Sequence, residues 1–252
     1  MKRNFLLLLI LVSLNIAAQN ESYFIAARGG LSLRERPDAS SKLLDKIPYS
    51  TKVTLIQTEE EWVPVSVEGI KGYWRKVKYN NKTGYIVDCY LFNQPPPKTT
   101  VKDLSGYLAQ ISVPFGNKLI VKSGNMNNME EAGWELQKQL YKNGGEWHRF
   151  VGYEYGSETY FLPDFTLQQA FLLIRMIPQF KEVFGENEPF PSENRTFTKD
   201  QREYAIKVQK ENYGADFEII EKISVEYEDG AIYNFELYQI DNQVVIFLGA
   251  GV

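Results

Sequence analysis

Between residues 22 and 92 the apolar positions come in short alternating runs separated by turn formers, and no stretch repeats at the helical period. The runs are 22–27, 31–34, 43–47, 53–56, 62–65, 74–77 and 83–87. Alternation over a few residues is the mark of a half-buried strand. Arg36-Pro37-Asp38-Ala39-Ser40-Ser41 and Tyr79-Asn80-Asn81-Lys82 have turn composition. Many short strands at close intervals predict a small all-β barrel over residues 22–93.

Beyond residue 100 the patterns mix. Residues 107–113 and 118–122 read as strands around Pro114-Phe115-Gly116-Asn117. Met129, Gly133, Leu136 and Leu140 recur at four, three and four, which predicts a helix closed by Asn143-Gly144-Gly145. Residues 147–155 and 159–162 predict a hairpin around Gly156-Ser157. Thr166-Leu167-Gln168-Gln169 has capping-box spacing, with Leu167, Phe171, Ile174 and Ile177 as one stripe. Pro178 and Gly185 then bend and stop that helix. A second capping box at residues 198–201 predicts a third helix ending near Gly214. Residues 217–227, 232–240 and 244–248 predict an antiparallel meander. The expected second part, residues 101–252, is α+β: an antiparallel sheet with helices on one face.

Gln94 is followed by Pro95, Pro96 and Pro97. A proline triplet favours a stiff extended spacer, so residues 94–100 are expected to be a linker. Charge changes across it. Residues 21–93 carry 11 Lys/Arg against 9 Asp/Glu, and residues 98–252 carry 15 against 23. No basic stripe dense enough for nucleic acid appears. At the start, Lys2 and Arg3 precede the apolar run FLLLLILV and small residues at Ala17 and Ala18. That order predicts a signal peptide over residues 1–18 and an exported chain, periplasmic, cell-surface or secreted. Nothing after it approaches a membrane span.

The strand order resembles the bacterial SH3-like (SH3b) family. The resemblance is carried by Leu31-Ser32-Leu33-Arg34, Pro37, Trp74-Arg75-Lys76-Val77, Lys82-Thr83-Gly84-Tyr85-Ile86 and Tyr90-Leu91. Two positions depart from the family pattern. Ser50 stands at a usual turn glycine, and residues 59–72 are longer and add Trp62, consistent with an enlarged loop or an extra hairpin. The resemblance implies a binding or scaffolding module whose partner is peptidoglycan or an envelope protein.

Candidate chemistry is sparse. Trp62, Tyr73 and Tyr85 are the expected ligand-binding rings, because such rings give large contact area at low entropic cost. Trp74 and Tyr90 are expected in the barrel core. With one cysteine (Cys89) and one histidine (His148), neither a disulfide nor a zinc ligand set can be assembled, and no metal or cofactor is expected. Cys89 is expected to be buried. His148, between Glu146 and Glu154, is expected to be a satisfied strand residue rather than a proton shuttle. Catalytic residues are not expected. The competing expectation is an envelope hydrolase of glycan or peptide that uses carboxylates of the second part.

Overall fold

The computed structural model describes residues 21–59, 61–185, 187–212, 214 and 218–252. The expected signal peptide lies outside these residues. The first part forms the small barrel that alternation predicts. Strands β1 (Ser22–Ile25), β4 (Lys52–Thr54) and β8 (Leu91–Phe92) make one sheet in the order β4-β1-β8. Strands β2 (Leu31–Arg34), β3 (Leu43–Ile47), β5 (Pro64–Val67), β6 (Ile70–Tyr79) and β7 (Lys82–Val87) make the other, in the order β3-β2-β7-β6-β5. A bridge between Leu55 and Val77 joins the two sheets. Inside lie Ile25, Leu33, Ile47, Val77 and Ile86, none exposed. Asn80 and Asn81 both take positive φ in the β6–β7 turn, as a two-residue hairpin requires.

The second part is mostly β. One antiparallel sheet of nine strands runs β13-β14-β15-β16-β17-β12-β11-β10-β9. The strands are β9 (Pro114–Ser123), β10 (Trp134–Tyr141), β11 (Glu146–Val151), β12 (Tyr155–Pro163), β13 (Arg195–Lys199), β14 (Arg202–Asn212), β15 (Glu218–Glu228), β16 (Ile232–Ile240) and β17 (Gln243–Gly251). Two helices accompany it, α1 (Leu104–Ile111) and α2 (Leu167–Met176). The meander and the α2 capping box are as expected: Thr166 Oγ1 accepts from Gln169 N, and Gln169 Oε1 accepts from Thr166 N.

Four expectations about single elements are corrected. The helix expected around Leu136 is β10, because a spacing of four satisfies period two as well as period 3.6. The helix expected after Thr198 is β14; its supposed capping box is a hairpin turn in which Asp200 and Gln201 both adopt positive φ. The strand expected at 107–113 is largely α1, capped by Asp103 Oδ1 on Gly106 N at 2.7 Å, with Leu104, Tyr107 and Leu108 inward. The expected turn at Gly156-Ser157 also lies earlier, since Val151 already pairs with Gly156.

The proline run is not a free spacer. Tyr107 Oη donates to Pro95 O (3.0 Å), Gln110 Nε2 to Pro96 O (3.0 Å) and Tyr49 Oη to Pro97 O (2.8 Å). The two parts also share a core. Ala26, Ile70, Cys89 and Phe92 of the barrel pack in one cluster with α2 and with Tyr160, Leu237 and Ile246 of the large sheet.

Candidate functional site

The enlarged loop of the barrel is a hairpin, β5–β6, and it clasps the second part. Glu68 and Gly69 at its tip both take positive φ. A Cβ on Gly69 would stand 2.9 Å from the carbonyl oxygen of Phe190, so glycine is what lets the chains approach there. Phe190 N donates to Glu68 O at 2.8 Å, and Arg175 of α2 donates to the Glu68 carboxylate at 2.7 Å. Gln169 Nε2 reaches Leu91 O (2.8 Å) and Asn93 Nδ2 reaches Asp164 O (3.0 Å).

Beside this clasp a cleft of about 580 Å³ opens between the two parts. Its barrel wall carries Tyr23, Lys71, Tyr73, Arg75 and Asp88; its opposite wall carries Gln168, Phe190, Ser192, Lys210 and Glu218. Asp88 is built in. Its Oδ1 accepts from Tyr73 N at 2.6 Å, its Oδ2 lies 3.7 Å from Arg75, and a Cβ on Gly72 would sit 2.1 Å from Oδ1. Burial raises the Asp88 carboxyl above the ordinary aspartate value, outweighing the Tyr73 amide and Arg75. Burial, and behind it the Asp88 charge, push the Cys89 thiol up to about 11. Cys89 is buried as expected, with its thiol 3.4 Å from Ile70 O.

Two of the three expected ligand-binding rings come together. Trp62 and Tyr73, both exposed, pack with centroids 5.5 Å apart, and the Arg75 guanidinium stacks 4.2 Å from the Trp62 ring; Tyr73 and Arg75 line the cleft, and Trp62 stands beside them. Tyr85 stands apart from that cleft. It lines a dimple of about 30 Å³ with Pro37 and Trp62, under Lys76. Trp74 is buried, and with Tyr90 it borders a second cavity of about 650 Å³ against α2. Arg75 and Asp88 were missed in the sequence. Arg75 was within reach, since alternation along β6 puts it on the face of Tyr73; Asp88 meets that strand only through the turn after β7.

With this geometry in place, the comparison with known families is decisive for the barrel. Residues 29–91 match the family model of the bacterial SH3 domain. The match covers about a quarter of the chain, β2 to the first residue of β8. No curated protein and no solved structure matches the chain. Bacterial SH3 domains are binding modules often found in cell-envelope proteins. No described helix is long and apolar enough to cross a membrane.

The SH3 domain therefore supplies rings, a stacked guanidinium and a partly buried carboxylate to the cleft, which suits recognition of a polar chain with apolar faces. Other candidates lie elsewhere. His148 is on β11, its Nε2 2.9 Å from Glu146 and its ring against Phe161. Among the described residues, no three His, Cys, Asp or Glu side chains are grouped to hold a metal ion.

Proposed function

We propose that the chain is an exported envelope protein that binds its partner without cutting it. The partner is peptidoglycan or another envelope protein, gripped at the cleft by Trp62 and Tyr73, with Tyr85 as a separate contact in its dimple. The observation that carries this reading is the Trp62–Tyr73 pair, backed by Arg75, beside a cleft of about 580 Å³ that the SH3 domain and the second part build together. Rigid exposed rings over a roomy, mixed-polarity cleft give contact area with little entropy lost on binding. The leader-like residues 1–18 and the envelope habit of bacterial SH3 domains support export.

The test is retention of residues 19–252 on purified cell-wall sacculi, scored together with release of soluble fragments. Retention without release is expected. Replacing Trp62 and Tyr73 together by alanine should weaken retention by roughly tenfold or more, as for interface anchors generally. Released fragments would favour the hydrolase instead, with Glu218 and its neighbours as first suspects. Neither retention nor release overturns both readings for this ligand.

A further inference from the structure

The second cavity, about 650 Å³ between the SH3 domain and α2, is lined by neither Trp62 nor Tyr73. Its volume falls within the roughly 300–1,000 Å³ of small-ligand sites. Its charge is one-sided. Among the described residues that line it, Arg28, Arg34 and Arg175 are cations and Glu68 alone is an anion. The three guanidinium groups arrive from separate elements: Arg28 from the β1–β2 loop, Arg34 from the end of β2, Arg175 from α2. Each is held in place. Arg28 Nη2 donates to Met176 O, Arg34 Nη1 to Ser41 O at 2.6 Å, and Arg175 Nη2 to the Glu68 carboxylate. A guanidinium has five N–H donors, so the Ser41 bond anchors Arg34 without using it up. Arg175 is the one charged residue of α2, and its side chain is only 5% exposed. Fixed cations around a recess partly withdrawn from water favour an anionic occupant.

The rest of the lining says what carries the anion. Leu31, Val67, Leu172 and Met176 are apolar, and the rings of Trp74 and Tyr90 stand among them. Two continuous stretches of chain, 26–32 and 65–68, also run along the cavity. Successive side chains of a strand point to opposite faces, so a recess touched by Val65, Ser66 and Val67 alike meets β5 at its edge. In its sheet β5 has β6 beside it and no second neighbour. Such an edge offers backbone hydrogen bonds that an extended peptide returns and a lipid tail does not.

We propose that this cavity captures the carboxy-terminal residues of a partner protein. Its last side chains are apolar and lie inward, and its terminal carboxylate meets Arg34, with Arg28 and Arg175 adding positive charge around it. A planar carboxylate matches the guanidinium fork. The site does not rest on the Trp62–Tyr73 pair.

Calorimetry of residues 19–252 with acetyl-Ala-Ala-Leu, as free acid and as carboxy-terminal amide, tests it. The acid should bind, and the amide should bind at least roughly tenfold more weakly. Arg34→Gln should cost the acid about as much. Gly29→Asp is the variant that spares the fold, because Gly29 lines the cavity and a Cβ there meets nothing within 4 Å. Its carboxylate should weaken the acid by roughly tenfold at an unchanged melting temperature, whereas Gly29→Ala should not. Trp62→Ala combined with Tyr73→Ala should bind the peptide as wild type does. No binding at about 1 mM, an amide as tight as the acid, or indifference to Gly29→Asp overturns the proposal. So does decanoate or inorganic phosphate that binds as tightly as the peptide acid. Loss of binding in the Trp62–Tyr73 variant would move the peptide to the first cleft and overturn it as well.

Discussion

Helices α1 and α2 show what the shared core demands of a sequence. Helix α1 buries Leu104, Tyr107 and Leu108, one stripe turned into the shared cluster, and leaves the rest half-buried or exposed. Helix α2 buries every residue from Ala170 to Met176 as well as Leu167. A helix that is apolar on nearly all sides has more than one partner. Here one side faces Phe235 and the sheet through Phe184 and Phe180, and the other meets the SH3 domain through Met176, Arg175 and Gln169. The stripe of α1 enters the shared core from one side, whereas α2 is enclosed on nearly all sides by the two parts.

The sharpest way to break that contrast is Leu173→Ala in α2. Leu173 is fully buried in the shared cluster, and truncation of such a leucine costs about 2–5 kcal/mol. Urea unfolding should remain one transition, shifted for Trp74 of the SH3 domain and Trp147 of the large sheet alike. A wild-type transition for Trp74 beside a shifted one for Trp147 would mean that the parts fold apart. Glu68→Ala is the next largest. It takes the carboxylate from Arg175, whose side chain is 5% exposed while that of Glu68 is 36% exposed. Breaking a fully buried pair costs about 3–5 kcal/mol, and the exposure of Glu68 lowers this to about 2 kcal/mol. Denaturation midpoints measure it, and a loss no larger than that of a surface glutamate would remove Glu68 from the clasp.

These contrasts also mark what the sequence could disclose. The SH3 domain was legible because its strands are short and its turns chemically explicit, Asn80-Asn81 above all. The long strands of the second part were not, because Leu136 and Leu140 fit two periods equally and Thr198 to Gln201 spells both a cap and a hairpin. The extra loop after Glu59 was visible as an anomaly, but only the fold shows that it clasps Phe190 and Arg175. Trp62 and Tyr73 could be singled out because aromatic residues are conspicuous in a sequence; Asp88 could not, because its place depends on the space left by Gly72. The run Pro95 to Pro97 misled for a similar reason. Stiffness can be read from composition, but the hydrogen bonds that fasten those carbonyls come from Tyr49, Tyr107 and Gln110.

A smaller effect tests the turn where this SH3 domain departs from its family. Ser50 has φ of 62° and donates its N–H to Ile25 O at 2.8 Å. The left-handed conformation costs a residue with a Cβ about 1–2 kcal/mol. Ser50→Gly should therefore stabilise the chain by about 1 kcal/mol, after the greater backbone entropy of unfolded glycine is set against the relief. No gain in the midpoint would show that the serine is not strained there.

The smallest expected effect concerns Asp88, where burial opposes its hydrogen bonds. Because its carboxyl is raised in the folded protein, the folded state keeps a proton that the unfolded chain releases near the ordinary aspartate value of about 3.9. The contribution of Asp88 to stability is thus fully present below that value and falls as pH rises through the interval up to the raised one, then stays level. An asparagine keeps an oxygen for Tyr73 N but carries no charge to desolvate. Asp88→Asn and wild type should therefore be closest in urea midpoint at acid pH, with the variant gaining relative stability toward neutrality. If wild type gains instead, pairing with Arg75 outweighs burial, and the cleft holds a settled ion pair. The predicted order of the two curves makes Asp88 a charge kept in the cleft at a cost.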